Sequence, residues 1–115
     1  MIKIVNLKTH KKSSYDVYIG RGSVLGNPYT HLKYTPTKAK YLVIDRWTAI
    51  DEYRKYINKE IENNNMQIIN TLKSIYEMSL KHDVYLCCYC KPQSCHGDVI
   101  KEIIERMEYD IVETH

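Results

Sequence analysis

The run Val84-Tyr85-Leu86-Cys87-Cys88 restricts the fold of this chain more than any other segment. It is short and apolar, and charged residues lie on either side of it, so it reads as a strand buried within a sheet. Helical periodicity brackets it. Upstream, Ile50, Tyr53, Ile57 and Ile61 recur at helical spacing, predicting a helix capped by Asp45 or Thr48 and running to about Asn63. The triplet Asn63–Asn65 breaks that pattern. A second helix is expected over Met66–Leu80, burying Ile69, Leu72, Ile75 and Tyr76. Downstream, Gly97–Met107 places Val99, Ile100, Ile103 and Ile104 on one helical face. A helix that leaves a strand and returns to the same sheet favours parallel pairing.

Three further strands are expected: Met1–Val5 by alternation, Tyr15–Ile19 after the polar turn His10–Ser14, and Asp110–Glu113 at the end. Tyr29–Lys40 reads as irregular. Tyr41–Ile44 fits either a short strand or an extended approach to the first helix. The order ββααβαβ defines a small single α/β domain over residues 1–115. Its sheet is expected to be mixed, mainly parallel, with about four to five strands flanked by about three helices.

The formal charge of +3 is too small for a polybasic nucleic-acid binder, although it suits a small anion. No apolar run approaches the roughly 18 residues of a membrane span, and the start of the chain has no secretory pattern. A cytoplasmic location with reduced cysteines is the expectation. All four cysteines fall within Cys87–Cys95, which suggests a site and not a disulfide framework. With 11 tyrosines and no phenylalanine, some tyrosines are expected to face a ligand or a partner chain.

Two loops carry the chemistry, and each follows an expected strand, where ligands of open α/β sheets bind. In the first, Gly20, Gly22 and Gly26 let the backbone approach a ligand. Arg21 offers a planar fork to phosphate or carboxylate, with Ser23, Asn27 and Pro28 beside it. The second contains Tyr89, Cys90, Lys91, Cys95, His96, Gly97 and Asp98. Its last residues open the third helix, whose free amides and dipole favour an anion. A thiol at that place is acidified, making Cys95 a candidate nucleophile with His96 as partner. Asp98 also fits a helix cap. Two readings compete with the nucleophile. One is zinc on Cys88, Cys90, Cys95 and His96, although Cys-x-Cys followed by an adjacent Cys-His pair strains one tetrahedral centre. The other, which is preferred, is a packed loop whose small cysteines fill space while His96 and backbone amides bind the ligand. Tyr53, Arg54 and Tyr56 are candidates for the pocket wall, and Arg46 and Trp47 for stacking on a base.

Taken together, Val17-Tyr18-Ile19-Gly20-Arg21, Leu25-Gly26-Asn27-Pro28, Ala49-Ile50 with Tyr53-Arg54, Cys88-Tyr89-Cys90-Lys91-Pro92 and Cys95-His96-Gly97-Asp98 form a joint pattern. The pattern, over Tyr15–Met107, resembles the domain of unknown function 4326 family of bacteria and bacteriophages. Gly22 stands where many members carry proline, and Tyr89 where tryptophan is usual. The resemblance implies a viral or mobile-element setting and fixes no activity. Small phage proteins of this build are similar to those that sequester host immune signals such as cyclic ADP-ribose-type molecules and cyclic dinucleotides.

The functional expectation is therefore a homo-oligomeric protein that binds a phosphorylated nucleotide-derived ligand as counter-defence, with no cofactor and no chemistry. One alternative is a nucleotide- or nucleoside-processing hydrolase or glycosidase acting through His96 or Cys95. Another is a small zinc-stabilised interaction domain.

Overall fold

A computed structural model describes residues 1–20, 22–30, 41–42, 45–89 and 95–114; the side chains of 29–30, 41–42 and 108–114 fall outside that description. The chain runs β1 (Ile2–Asn6), β2 (Asp16–Tyr18), β3 (Tyr29–Thr30), β4 (Tyr41–Leu42), α1 (Arg46–Glu62), α2 (Met66–Ser79), β5 (Val84–Cys88) and α3 (His96–Thr114). β5 is the central strand of a parallel sheet ordered β1-β5-β2. Its position suits its sequence, because a parallel strand covered on both faces reads as an unbroken apolar run.

Register fixes which residues share a face. Ile2 and Ile4 pair with Val84 and Leu86, and Val17 also pairs with Leu86. These side chains join Cys88 in the core beneath the helices, with Tyr53, Ile57, Leu72, Ile75, Ile100 and Ile104. Full burial of one such aliphatic side chain stabilises by about 1.5–3 kcal/mol. The opposite face holds Asp16, Tyr18, Tyr85 and Cys87, which are also register partners. The crossover from β1 to β2 covers that face. The His10 ring lies 4.7 Å from that of Tyr85, and Tyr15 stacks on His82 at 4.0 Å.

The helix boundaries are set by asparagine and aspartate. Asp45 caps α1, its carboxylate accepting from the Thr48 amide at 2.8 Å. Asn65 caps α2 by accepting from the Ile68 amide. Between them Asn64 adopts φ 59°, a left-handed conformation that asparagine tolerates. The α2 core face is Ile68, Leu72 and Ile75, with Tyr76 partly buried; the expected Ile69 sits at its margin.

Two expectations need correction. Asp110–Glu113 is not a strand, because α3 continues unbroken to Thr114. The β-branched pair Ile111-Val112 suggests a strand locally, but no glycine, proline or asparagine follows Asp98 to end the helix. Among the described residues the main sheet has three strands, where about four to five were expected. Tyr41–Leu42, read two ways from sequence, is β4 and pairs with β3 in a separate parallel ladder. Residues 31–40 and 43–44 lie outside the described residues. Among the described residues, no helix is long and apolar enough to cross a membrane.

Candidate functional site

The exits from β1 and β5 diverge at the carboxyl edge of the sheet. β1 leads over the Tyr85 face through the crossover, whereas β5 leads to α3 on the helical face. Such divergence between neighbouring parallel strands opens the crevice in which α/β proteins bind ligands. Asn6 ends β1 at this point. Its amide nitrogen donates to the Tyr89 carbonyl at 3.4 Å, and its oxygen accepts from the Lys8 amide at 2.9 Å. The Lys8 ammonium lies 5.9 Å from the centre of the Tyr89 ring. Tyr89 is 56% exposed, and Tyr18 at the end of β2 is exposed as well. The sequence reading missed Asn6 and Lys8. The only signal was the change from apolar alternation to polar residues where β1 stops.

The two chemically distinctive loops meet at this edge. His96 donates from Nε2 to the Ile19 carbonyl, which fixes Nε2 as the protonated nitrogen of that contact. A Cβ on Gly97 would lie 3.0 Å from Ile19 Cδ1 and 3.1 Å from Ile4 Cγ2, so β2, β1 and α3 pack closely here. The first loop is also folded on itself. The Ser23 hydroxyl donates to the Gly20 carbonyl at 2.7 Å, and a Cβ on Gly26 would lie 2.6 Å from that same oxygen. Gly22 adopts φ 88°, the conformation for which its lack of a side chain suits it. Tyr53 ties the loop to α1 by donating to the Leu25 carbonyl at 2.7 Å, and Asn27 donates to the Ala49 carbonyl at 3.2 Å. Burial pushes the Tyr53 hydroxyl far above its ordinary value, so it remains a donor. Its ring meets His96 edge-on at 5.0 Å.

At the start of α3, the Asp98 carboxylate accepts from the Cys95 amide at 3.2 Å, and the Asp98 amide donates to the Cys95 carbonyl at 3.1 Å. This reciprocal cap places a negative charge at the positive end of the helix. Cys88 and Cys95 bring their sulfurs to 3.5 Å within the core. Among the described residues, His96 does not join them in a cluster of three metal-ligating atoms. Arg21, Cys90 and Lys91 lie outside the described residues. Of the proposed wall residues, Tyr53 is core and Tyr56 packs against it. Arg54 bonds Glu102 and Asp51 at the surface, while Trp47 is exposed. A separate groove of about 260 Å³ lies among the three helices, lined by Ile61, Leu72, Arg106 and their neighbours, and it includes neither loop.

Fold and site together define a small α/β protein whose described residues form a three-stranded parallel sheet, with Ile19 after β2 and His96 at the start of α3 bonded at its carboxyl edge. The family model described as Domain of unknown function (DUF4326) matches residues 4–106, and the chain belongs to that family. No curated protein and no solved structure matches it.

Proposed function

We propose that the carboxyl edge captures a small phosphorylated nucleotide-derived ligand, of ADP-ribose or cyclic-nucleotide type, and holds it unaltered. The observation that carries this reading is the His96–Ile19 hydrogen bond, which makes the two loops one structural unit. Around that unit, Tyr18 and Tyr89 offer exposed rings for a base, and Asn6 and Lys8 supply polar groups. The phosphate is assigned to the Gly20–Ser23 turn with Arg21, and to Lys8. The Asp98 carboxylate at the α3 start makes that place less favourable for a second anion.

Capture is favoured over chemistry because the candidate catalytic pair is poorly presented. Cys95 is 3% and His96 6% exposed, and the imidazole is bonded to a main-chain carbonyl. The setting, phage counter-defence by a homo-oligomer, rests on the family resemblance alone.

Isothermal titration with ADP-ribose, its cyclic derivatives and cyclic dinucleotides tests the reading, with chromatography of the ligand after heat release. Saturable binding and intact ligand are expected. Folded protein that gives no binding heat at high micromolar ligand refutes capture. An altered ligand points to the hydrolase or glycosidase reading instead.

A further inference from the structure

The sheet face turned away from the helices carries a second group of reactive side chains. Parity along β5 separates the cysteines: Cys88 points into the core, and Cys87 points to the face covered by the crossover. There it meets His10 of the crossover and Asp16, the first residue of β2. One donor atom from each of the three lies within 4.8 Å of the other two. A tetrahedral zinc with nitrogen or oxygen at about 2.0 Å and sulfur at about 2.3 Å separates its ligands by roughly 3.3–3.8 Å. Only a small closure is needed. The donor set of one imidazole, one carboxylate and one thiol suits a borderline cation, whereas calcium and magnesium select oxygen alone.

The surroundings also fit. Asp16 Oδ2 accepts from the Ser13 amide at 3.0 Å, leaving Oδ1 directed to His10 at 3.0 Å. A ligating carboxylate is ordinarily held by such an outer hydrogen bond. The His10 ring is set against Tyr85, and Lys3 on the same face is turned to Asp83 at 3.6 Å. Cys87 is 1% exposed, whereas the His10 and Asp16 side chains are 12% and 20% exposed, so the sulfur lies beneath an accessible rim.

We propose that His10, Asp16 and Cys87 form a three-ligand site for a zinc-class divalent cation, which pins the β1–β2 crossover to β5 and leaves one coordination position for water. Binding forms bonds to one nitrogen, one oxygen and one sulfur. It replaces the His10–Asp16 hydrogen bond, the Nε2 proton moving to Nδ1 or, from an imidazolium, to solvent. It also breaks the Cys87 thiol's bond to the Tyr85 carbonyl, releasing the thiol proton to solvent. Without the cation, burial and the Asp16 charge push the thiol up and keep it protonated. A bound divalent charge reverses that balance.

The test uses the untagged full chain, stripped with chelator and equilibrated with micromolar Co2+ or Zn2+ before desalting. About one metal per chain is expected, with a thiolate-to-cobalt charge-transfer band that Zn2+ abolishes. Cys87→Ser and His10→Ala should each lower metal affinity at least about tenfold, and Cys88→Ser and Cys95→Ser should leave it unchanged. If Cys87→Ser fails to fold, His10→Gln and Asp16→Asn at the rim give the same reading. Folded wild-type protein that retains no Co2+ overturns the proposal, as does binding only at millimolar metal. Metal loss that follows Cys88→Ser and Cys95→Ser overturns it too. None of these outcomes depends on what the carboxyl edge binds.

Discussion

The His96 imidazole donates to the main-chain carbonyl of Ile19, a residue 77 positions earlier in the chain. Through that bond the buried residue that follows β2 and the first turn of α3 hold one another. Read from sequence, His96 is a ligand donor. In the fold it is also a strut, positioning the loops that present the other candidate groups. This arrangement separates two effects that a single substitution would otherwise merge.

His96→Ala leaves the buried Ile19 carbonyl without this donor and removes a ring packed edge-on against Tyr53. A loss of about 2–3 kcal/mol is expected from an unsatisfied buried acceptor together with the lost aromatic contact. Urea denaturation reads this as a lower midpoint with an unchanged slope. If the carboxyl edge binds as proposed, affinity should fall at least about tenfold under conditions where the variant is still folded. Unchanged affinity would mean that the loops need no strut.

Tyr53→Phe is a smaller, cleaner cut. The hydroxyl donates to Leu25 in a buried setting, and the ring itself stays in the core. Removing only the oxygen should cost about 1–2 kcal/mol, because the carbonyl loses a partner it cannot replace with water. The same denaturation midpoint measures it. A change near zero would show that water reaches Leu25.

The two loop glycines should respond differently to the same methyl group. At Gly26 a Cβ meets the Gly20 carbonyl at 2.6 Å, and that backbone is itself bonded by Ser23. At Gly20 the clash is with the outer ring atoms of Tyr18, an exposed side chain able to swing aside. Gly26→Ala should therefore destabilise by about 2–3 kcal/mol, and Gly20→Ala by less than about 1 kcal/mol. Thermal melts of the pair decide it; equal losses would contradict the geometry.

How far the sequence carried depends on the range of the force involved. The central place of Val84–Cys88 was legible because burial on both faces leaves a local, unbroken apolar mark. The cap at Asp45, offered beside Thr48, was legible for the same reason, since a side chain bonding an amide three residues on is a local event. Asn65 was read only as part of a break, and its cap on α2 was missed. The end of α3 was misread because Ile111-Val112 carries strand propensity, while the periodicity running on from Ile104 and Met107 carries the helix. The partners of His96 and Tyr53 were invisible, because both bond main-chain carbonyls that no side-chain pattern marks. Cys87 and Cys88 looked equivalent in the chain. Only the register of β5 shows that they face opposite sides of the sheet.

Acid should weaken the crossover through Asp16. The Ser13 amide holds its carboxyl below the usual carboxylate range, His10 adds to this through a hydrogen bond and its charge, and partial burial opposes them. A depressed value in the fold means that the carboxylate favours the folded state. This contribution is complete above the unfolded value of about 3.9 and disappears as pH falls through the lower folded value. With chelator present, so that no metal contributes, Asp16→Asn should be less stable than wild type at neutral pH. The gap should begin to close below about pH 4 and vanish once pH falls past the lower folded value, because both then present a neutral group to Ser13 and His10. Urea midpoints at neutral, mildly acidic and strongly acidic pH follow the gap. A gap that stays constant into strong acid would show that the carboxylate charge is not what fastens the crossover to the sheet.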